Sequence, residues 1–269
     1  MLFLKLGGSL ITDKTRDNAP RPDVINRLAR EIRAFLSHSA EPLLIGHGSG
    51  SFGHVAARKY GTRSGAHSAE EWRGFAEVSV AAARLNRIVA DALYEAGVPV
   101  VSASPSASAQ CEDGKLVTLD TRLIQTALAH GLTPLVMGDV ALDSIRGATI
   151  VSTEEVFAYL ADHLPVSRIL LAGETAGVYR SMAQPDVIPT ITSATWAEVQ
   201  GGIGASHGTD VTGGMAGKVR DMLALATAHP RMHIRVFSGL VDGNLMRALN
   251  GEPVGTLIRA SDAGEVSKA

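Results

Sequence analysis

Short runs of apolar residues alternate along the chain with longer stretches in which apolar residues recur every three or four positions. This alternation is typical of parallel strands joined by helices, and it predicts an α/β fold with a mostly parallel sheet. The short runs predict strands at Leu2–Leu6, Leu43–Ile45, Val98–Ser102, Leu116–Leu119, Leu135–Met137, Ile169–Leu171 and Ile234–Phe237, and a hairpin at Ala141–Ile150. The longer stretches predict helices at Pro22–Ser37, from the capping box Ser68–Glu71 to about Ala96, and at Thr121–His130, Thr153–Leu164 and Met215–Ala228, with closing elements at Asn244–Leu249 and Thr256–Ile258.

Composition excludes several classes of protein. The 269 residues include 45% hydrophobic and 19% charged residues, which is ordinary for a globular chain. Lys and Arg number 25 against 27 Asp and Glu, so no basic field exists to hold nucleic acid or an anionic membrane. The single cysteine, Cys111, excludes an internal disulfide and a cysteine-based zinc cluster. With no long apolar run, we expect a cytoplasmic protein that acts on a small molecule.

Two glycine clusters directly follow predicted strands. The first is Lys5-Leu6-Gly7-Gly8-Ser9, and the second runs from Gly46 to His54. Glycine lets backbone N–H groups converge on an anion, and a following helix adds its positive N-terminal end. One such cluster could equally form a tight turn, but two clusters with a flanking lysine or histidine favour phosphate binding.

The second cluster also contains Gly48-x-Gly50-x-x-Gly53, the spacing of a dinucleotide fingerprint. That fingerprint needs an acidic residue at the end of the next strand, whereas Glu70 and Glu71 stand at a helix start. A Walker A loop is excluded as well, because Gly217-Lys218 is followed by Val219.

A third glycine-rich segment precedes the helix predicted at Met215–Ala228. We expect Gly201–Gly214 to form a flexible loop. Lys218 falls in the first turn of the helix, where a lysine opposes the helix dipole. A bound anion there would offset that cost, while the alternative is a solvated surface lysine.

Five motifs, in order along essentially the whole chain, resemble the amino acid kinase family and, within it, the isopentenyl phosphate kinases. They are Lys5–Ser9, Ile11–Lys14, Gly48–His54, Gly138–Val140 and Thr212–Lys218. The resemblance implies a three-layer αβα sandwich with a mostly parallel central sheet. It implies one domain over residues 1–269, with an acceptor-binding lobe at about 1–165 and a nucleotide-binding lobe at about 166–269. A homodimer is a further expectation from the family.

The resemblance also implies ATP-dependent phosphorylation of isopentenyl phosphate, with Mg²⁺ bridging ATP oxygens and no metal ligand from the protein. The residues that it places in catalysis are Lys5, Lys14, His54, Asp139 and Lys218. Those that it places on ATP are Lys5, Gly7, Gly8, Ser9, Gly50, Glu174, Gly214 and Lys218. Those that it places on the acceptor are Gly48, Ser49, Gly53, His54 and Thr153.

Several alternatives stay open at this point. Asp139 orients lysines or merely caps a turn, and His54 binds the acceptor phosphate or caps a following helix. Trp72, Phe75 and Val78 share a helix face that packs in the core or lines an acceptor tail. The rival functions are a fosfomycin, carboxylate or nucleoside monophosphate kinase of the same fold, and a nucleotide- or oxyanion-binding protein without turnover.

Two segments depart from the family pattern. Relatives often carry Ser-Gly-Asp-Asp where this chain has Ser152-Thr153-Glu154-Glu155, near the acceptor phosphate. They carry Thr-Asp-Val-Asp-Gly where this chain has Gly173-Glu174-Thr175-Ala176-Gly177, in the nucleotide pocket.

Overall fold

The computed structural model describes residues 1–181, 186–203 and 214–261, and of residues 54 and 55 the backbone only. The chain divides into two compact units, Met1–Pro165 and Val166–Ala269. Most of the loop predicted at Gly201–Gly214, including Thr212 at the start of the fifth family motif, lies outside the described residues.

The first unit contains a parallel sheet and a smaller mixed sheet. Its strands are β1 (Leu2–Leu6), β2 (Leu43–His47), β3 (Val100–Ser102), β4 (Gln110–Glu112), β5 (Lys115–Thr118), β6 (Thr133–Met137), β7 (Asp139–Asp143) and β8 (Gly147–Val151). Its helices are α1 (Gly8–Ile11), α2 (Pro22–Leu36), α3 (Gly50–Tyr60), α4 (Ala69–Glu95), α5 (Arg122–Ala129) and α6 (Thr153–Ala161), with a 3₁₀ turn at Pro105–Ala107. The order β1-β2-β6-β3 is parallel throughout, and the smaller sheet has the order β5-β4-β7-β8.

The second unit contains β9 (Arg168–Gly173), β10 (Thr190–Ile191), β11 (His233–Ser238) and β12 (Thr256–Ile258). Its helices are α7 (Trp196–Val199), α8 (Gly214–Ala228) and α9 (Asn244–Leu249). The strand order is β10-β12-β11-β9, with β11 and β12 antiparallel and the other two pairs parallel. The predicted α/β fold with a mostly parallel sheet is confirmed.

Helices cover both faces of the parallel sheet in the first unit. Phe3 on β1 packs against Phe157 on α6, with ring centroids 5.0 Å apart. Gly46 faces the same helix, because a Cβ there would lie 2.7 Å from the Phe157 ring. His47, the next residue of β2, points to the opposite face, where its ring contacts Asn86 on α4. The sheet therefore lies between α6 and α4, as the middle of three layers.

The helix boundaries follow from their caps. The Ser68–Glu71 capping box opens α4 as predicted, and Gly97, with φ +86°, follows its end. A second capping box, Ser152 with Glu155, opens α6. Helix α6 ends at Ala161, three residues before the predicted end. Across the described ranges, none of the helices combines the length and the apolar character that crossing a bilayer requires.

Candidate active site

Three parallel strands of the first unit end side by side, and each leads into a glycine. In the sheet register, Leu6 of β1 pairs with His47 of β2, and His47 pairs with Met137 of β6. The next residues are Gly7, Gly48 and Gly138. Ligands of open parallel sheets bind at this carboxyl edge, so the topology brings the two glycine clusters to one candidate site.

The two glycine clusters are in backbone contact. A Cβ on Gly8 would lie 2.7 Å from Gly50 Cα, and a Cβ on Gly48 would lie 2.8 Å from the Gly8 nitrogen. Both distances are far below ordinary contact, so no other residue fits at either position without a backbone shift. Gly50 adds a positive φ of +52°.

The donor role expected of Gly48 needs correction. The Gly48 N–H donates to the Leu6 carbonyl at 3.0 Å and is therefore already used within the protein. Among the described hydrogen bonds, none takes the N–H of the next residue, Ser49, which is the N-cap of α3. Helices α3 and α6 both begin at this edge, and the dipoles of the two helices favour an anion there.

Lys5 is held at this edge by Glu154. The Lys5 ammonium donates to Glu154 Oε1, and the two side chains are only 13% and 16% exposed. Lys5 lies on the face of β1 that α6 covers, and Glu154 is the second residue of α6. The ion pair fixes a cation beside the glycine clusters.

Asp139 does not take the lysine-orienting role that the sequence suggested. Its carboxylate accepts hydrogen bonds from the N–H groups of Ser106 at 3.1 Å and Val140 at 2.9 Å, and no lysine contacts it within the described residues. Burial raises the pKa of Asp139 above its usual value, against the effect of these hydrogen bonds. Asp139 therefore caps a turn, as the second alternative proposed. The carboxylate that contacts Lys5 belongs to Glu154.

Lys14 lies in an exposed turn between Thr12 and Pro20, which pair with each other. This turn is attached to the second glycine cluster. The Asn18 N–H donates to the Ser51 carbonyl at 3.3 Å, and the Ala19 N–H donates to Ser51 Oγ at 3.1 Å. The turn that carries Lys14 is thus joined to the first turn of α3.

His54 is the fifth residue of α3, whereas the sequence suggested a loop position with a helix still to come. The helix begins early because its first N–H groups find partners. The Ser51 N–H donates to Thr12 Oγ1 at 2.9 Å, and the Phe52 N–H donates to the Ser49 carbonyl at 3.0 Å. A residue in the second turn cannot cap its own helix, so the capping alternative for His54 is wrong. Its acceptor-binding role stays a prediction.

Thr153 opens α6 and is buried. Its hydroxyl donates to the His47 carbonyl at 2.7 Å, so the side chain braces the sheet. Gly138 lies against it, since a Cβ there would be 3.5 Å from the Thr153 nitrogen. An acceptor contact would fall to the Thr153 backbone N–H, at the N-terminal end of α6.

The second unit carries the remaining predicted residues. Buried Gly214, with φ +67°, begins α8, and the partly buried Lys218 is the fifth residue of that helix. Lys218 therefore stands in the second turn of α8, not in the first turn as expected. Glu174 directly follows β9 and is exposed, and its carbonyl accepts a hydrogen bond from Ser238 Oγ at 3.1 Å.

Comparison with known protein families matches residues 1–237 to the amino acid kinase family. The chain belongs to the amino acid kinase family. An isopentenyl phosphate kinase of Methanothermobacter thermautotrophicus is 37% identical over 94% of this chain and 97% of its own length. One from Haloferax volcanii is 39% identical over 96% of this chain and 98% of its own length. A solved structure described as isopentenyl phosphate kinase matches with a TM-score of 0.80 at 32% identity, covering 96% of this chain and 100% of that one.

A more distant relative has a different acceptor in its name. The acetylglutamate kinase of Rubrobacter xylanophilus is 30% identical over 68% of this chain and 71% of its own length. Both kinds of relative agree with the amino acid kinase fold that the sequence motifs implied.

An apolar cluster of this amino acid kinase lies between α3, α4 and the β7–β8 hairpin. Its members are Ala56, Ala57, Phe75, Val78, Val140 and Ile150. Val78 is buried in it and Phe75 partly so, in agreement with a core role. Trp72 is 40% exposed and meets Phe75 edge-on at 5.5 Å, so the core alternative does not hold for Trp72.

Two buried polar residues of this kinase, one on the sheet and one on a helix that packs against it, were not predicted from the sequence. His47 is fully buried at the end of β2, and Asn86 is buried on α4 opposite it. The available signals were a histidine directly after an apolar strand and an asparagine on the apolar face of a helix. Neither residue type is often buried without a partner.

Proposed function

We propose that the chain transfers the terminal phosphoryl group of ATP to isopentenyl phosphate, giving isopentenyl diphosphate in isoprenoid biosynthesis. The observation that carries the proposal is the similarity to isopentenyl phosphate kinases, which extends over nearly the full length of this chain and of those relatives. The geometry of the first unit supports it, because the glycine clusters, Lys5 and two helix N-termini meet where an anion would bind.

The proposed reaction needs little covalent chemistry from the protein. A phosphate monoester is largely dianionic near neutral pH, so its oxygen attacks the γ-phosphorus without a strong general base. The bond from the γ-phosphorus to the β,γ-bridging oxygen breaks, and ADP leaves. The protein must align the two phosphates and neutralise the charge between them.

Lys5 and the backbone N–H groups of the glycine clusters supply that neutralisation in our proposal. Glu154 holds the Lys5 ammonium in place through their ion pair. His54 and the Ser49 N–H bind the acceptor phosphate, and Lys14 approaches from the turn attached to α3. The second unit contributes Glu174, Gly214 and Lys218 to nucleotide binding.

Mg²⁺ fits this arrangement as a partner of ATP. Among the described residues, no group of three or more His, Cys, Asp or Glu side chains is placed to hold an ion. We propose phosphate oxygens and water as the ligands of Mg²⁺, which when bound would neutralise β- and γ-phosphate charge. A cytoplasmic location and a homodimer complete the proposal as family expectations.

The apolar cluster offers a wall for the five-carbon tail of the acceptor. It includes Ala56 and Ala57, which lie on the same helix as His54. A tail leaving a phosphate bound at the start of α3 would run along that helix towards Phe75 and Ile150.

The test is a panel of acceptors measured with Mg-ATP in a coupled ADP-release assay. The panel contains isopentenyl phosphate, fosfomycin, N-acetylglutamate, a nucleoside monophosphate and a blank without acceptor. We expect the highest kcat/KM with isopentenyl phosphate and only slow ADP release in the blank.

N-Acetylglutamate is the informative competitor, because one relative is named for that acceptor. A higher kcat/KM with any other acceptor would overturn the proposed substrate. ATP binding without turnover of any acceptor would instead favour a nucleotide-binding protein.

A further inference from the structure

His47 uses both of its ring nitrogens inside the protein. Its Nδ1 lies 3.1 Å from the Gly48 carbonyl oxygen, and its Nε2 lies 3.1 Å from Asn86 Nδ2. The ring is fully buried, and Asn86 is nearly so. A residue inside the sheet is thus connected to the glycine cluster on one side and to α4 on the other.

These two contacts require one protonation state. The Gly48 carbonyl only accepts, so Nδ1 must carry a proton, and the Asn86 amide nitrogen donates, so Nε2 must be bare. Burial, with a smaller contribution from the charge of Lys5, lowers the pKa of His47 to about 4. The imidazole is therefore neutral at physiological pH, as the two hydrogen bonds demand.

The contact with Gly48 sets the orientation of the next amide. The peptide unit between Gly48 and Ser49 is planar and trans, so its N–H points opposite to its C=O. Since the carbonyl points at the buried ring, the Ser49 N–H points away from the sheet interior, at the N-terminal end of α3. Within the described hydrogen bonds, that N–H donates to no protein group.

The backbone of His47 fixes a second part of the same edge. Its carbonyl accepts from Thr153 Oγ1 at 2.7 Å and from the Gly138 N–H at 3.2 Å. One residue therefore connects the glycine cluster, the end of β6 and the start of α6.

We propose that His47, oriented by Asn86, is a positioning residue that directs the Ser49 N–H at the acceptor phosphate. This inference rests on the proposed function. The Asn86 bond selects the tautomer, the Nδ1 proton holds the Gly48 carbonyl, and the carbonyl fixes the amide plane. A purely structural role at this site would be met as well by an apolar side chain, which needs no partners when buried.

The experiment compares His47→Asn with His47→Gln. The Asn amide reaches the position of Nδ1 and keeps a donor for the Gly48 carbonyl, whereas the Gln amide reaches the position of Nε2 and keeps the acceptor for Asn86. We expect His47→Gln to lose about ten-fold or more in kcat/KM for isopentenyl phosphate, mainly through KM, as for a lost hydrogen bond to a charged group. His47→Asn should retain more activity, and the Kd for ATP should change little in both.

A stability control separates positioning from folding. Leu93→Ala removes a buried side chain two turns from Asn86 on the same helix, so it should lower Tm without changing kcat/KM. If both His47 variants behave like Leu93→Ala, or if His47→Gln is the more active of the two, the proposal is wrong.

A spectroscopic readout covers the case in which a variant fails to fold. Long-range ¹H–¹⁵N correlation on the parent protein labelled with ¹⁵N-histidine should show one neutral Nδ1–H imidazole that does not titrate between pH 5 and 8. A protonated His47 ring, or the Nε2–H tautomer of His47, would overturn the proposal. Failure of the parent to phosphorylate isopentenyl phosphate would refute the proposed function instead, so the two failures are distinct.

Discussion

Replacing Gly8 by alanine tests whether the contact between the glycine clusters serves catalysis. The added Cβ would stand 2.7 Å from Gly50 Cα, and closer still to the Gly50 nitrogen. Carbon atoms in contact are about 3.5 Å or more apart, so the two backbones must separate by about 1 Å. Both neighbours are backbone atoms, so no side-chain rotation relieves the clash.

A displacement of about 1 Å in a phosphate-binding backbone can cost about 100-fold in rate, or about 2.7 kcal/mol of transition-state stabilisation. The same overpacking should lower the free energy of unfolding by about 1–3 kcal/mol. We therefore expect kcat/KM for isopentenyl phosphate to fall about 100-fold, while most of the protein remains folded at 25 °C. Steady-state kinetics and a thermal melt measure both effects.

Gly201→Ala is the matched control, because a Cβ at Gly201 has no atom of the described residues within 4 Å. It should leave kcat/KM and Tm near the parent values. If Gly8→Ala keeps kcat/KM within a few-fold of the parent, the close approach of the clusters is not needed for catalysis, and the reasoning fails.

Three further predictions concern single side chains. Glu154→Gln keeps a hydrogen-bond acceptor for Lys5 but removes the negative charge of residue 154, which about halves the strength of the hydrogen bond. We therefore expect kcat to fall about ten-fold and Tm to be lower, whereas an unchanged kcat would make the ion pair purely structural. His54→Ala should lower kcat/KM for isopentenyl phosphate by about 10- to 150-fold with Kd for ATP unchanged, and His54→Gln should retain more; a normal acceptor KM and kcat in His54→Ala contradicts the assignment. Lys218→Ala should lower kcat strongly and weaken ATP binding in calorimetry with little change in Tm, and activity near the parent value would remove Lys218 from the nucleotide site.

The order of elements and the meeting of the glycine clusters were predictable from the sequence. Apolar runs locate the strands, and parallel strands bring the residues that follow them to one edge, so the topology accounts for Gly8 and Gly48 lying together. Caps with local signatures, such as Ser68 with Glu71, were equally visible.

Contacts between distant residues were not predictable. The partner of Lys5 is Glu154, 149 residues away, whereas the family resemblance had suggested Asp139 as the residue that orients lysines. The early start of α3 depends on the Thr12 hydroxyl accepting from the Ser51 N–H, a tertiary hydrogen bond that overrides the weak helix propensity of Gly50 and Gly53. His47 carried no signal beyond its position, because its role depends on Asn86 of α4, which packs on the same face of the sheet.

The separation of Lys5 from Glu154 has a consequence for how the protein is made. At about 5–20 residues per second, a ribosome needs roughly 7–30 s to add the 149 residues between them. During that time β1, whose leucines end up fully buried, waits for β6 to complete the sheet and for α6 to cover it. The nascent chain therefore carries an apolar strand that stays incompletely covered until α6 has been synthesised, and we expect a pause in elongation before residue 154 to reduce the yield of active enzyme while leaving the finished protein unchanged.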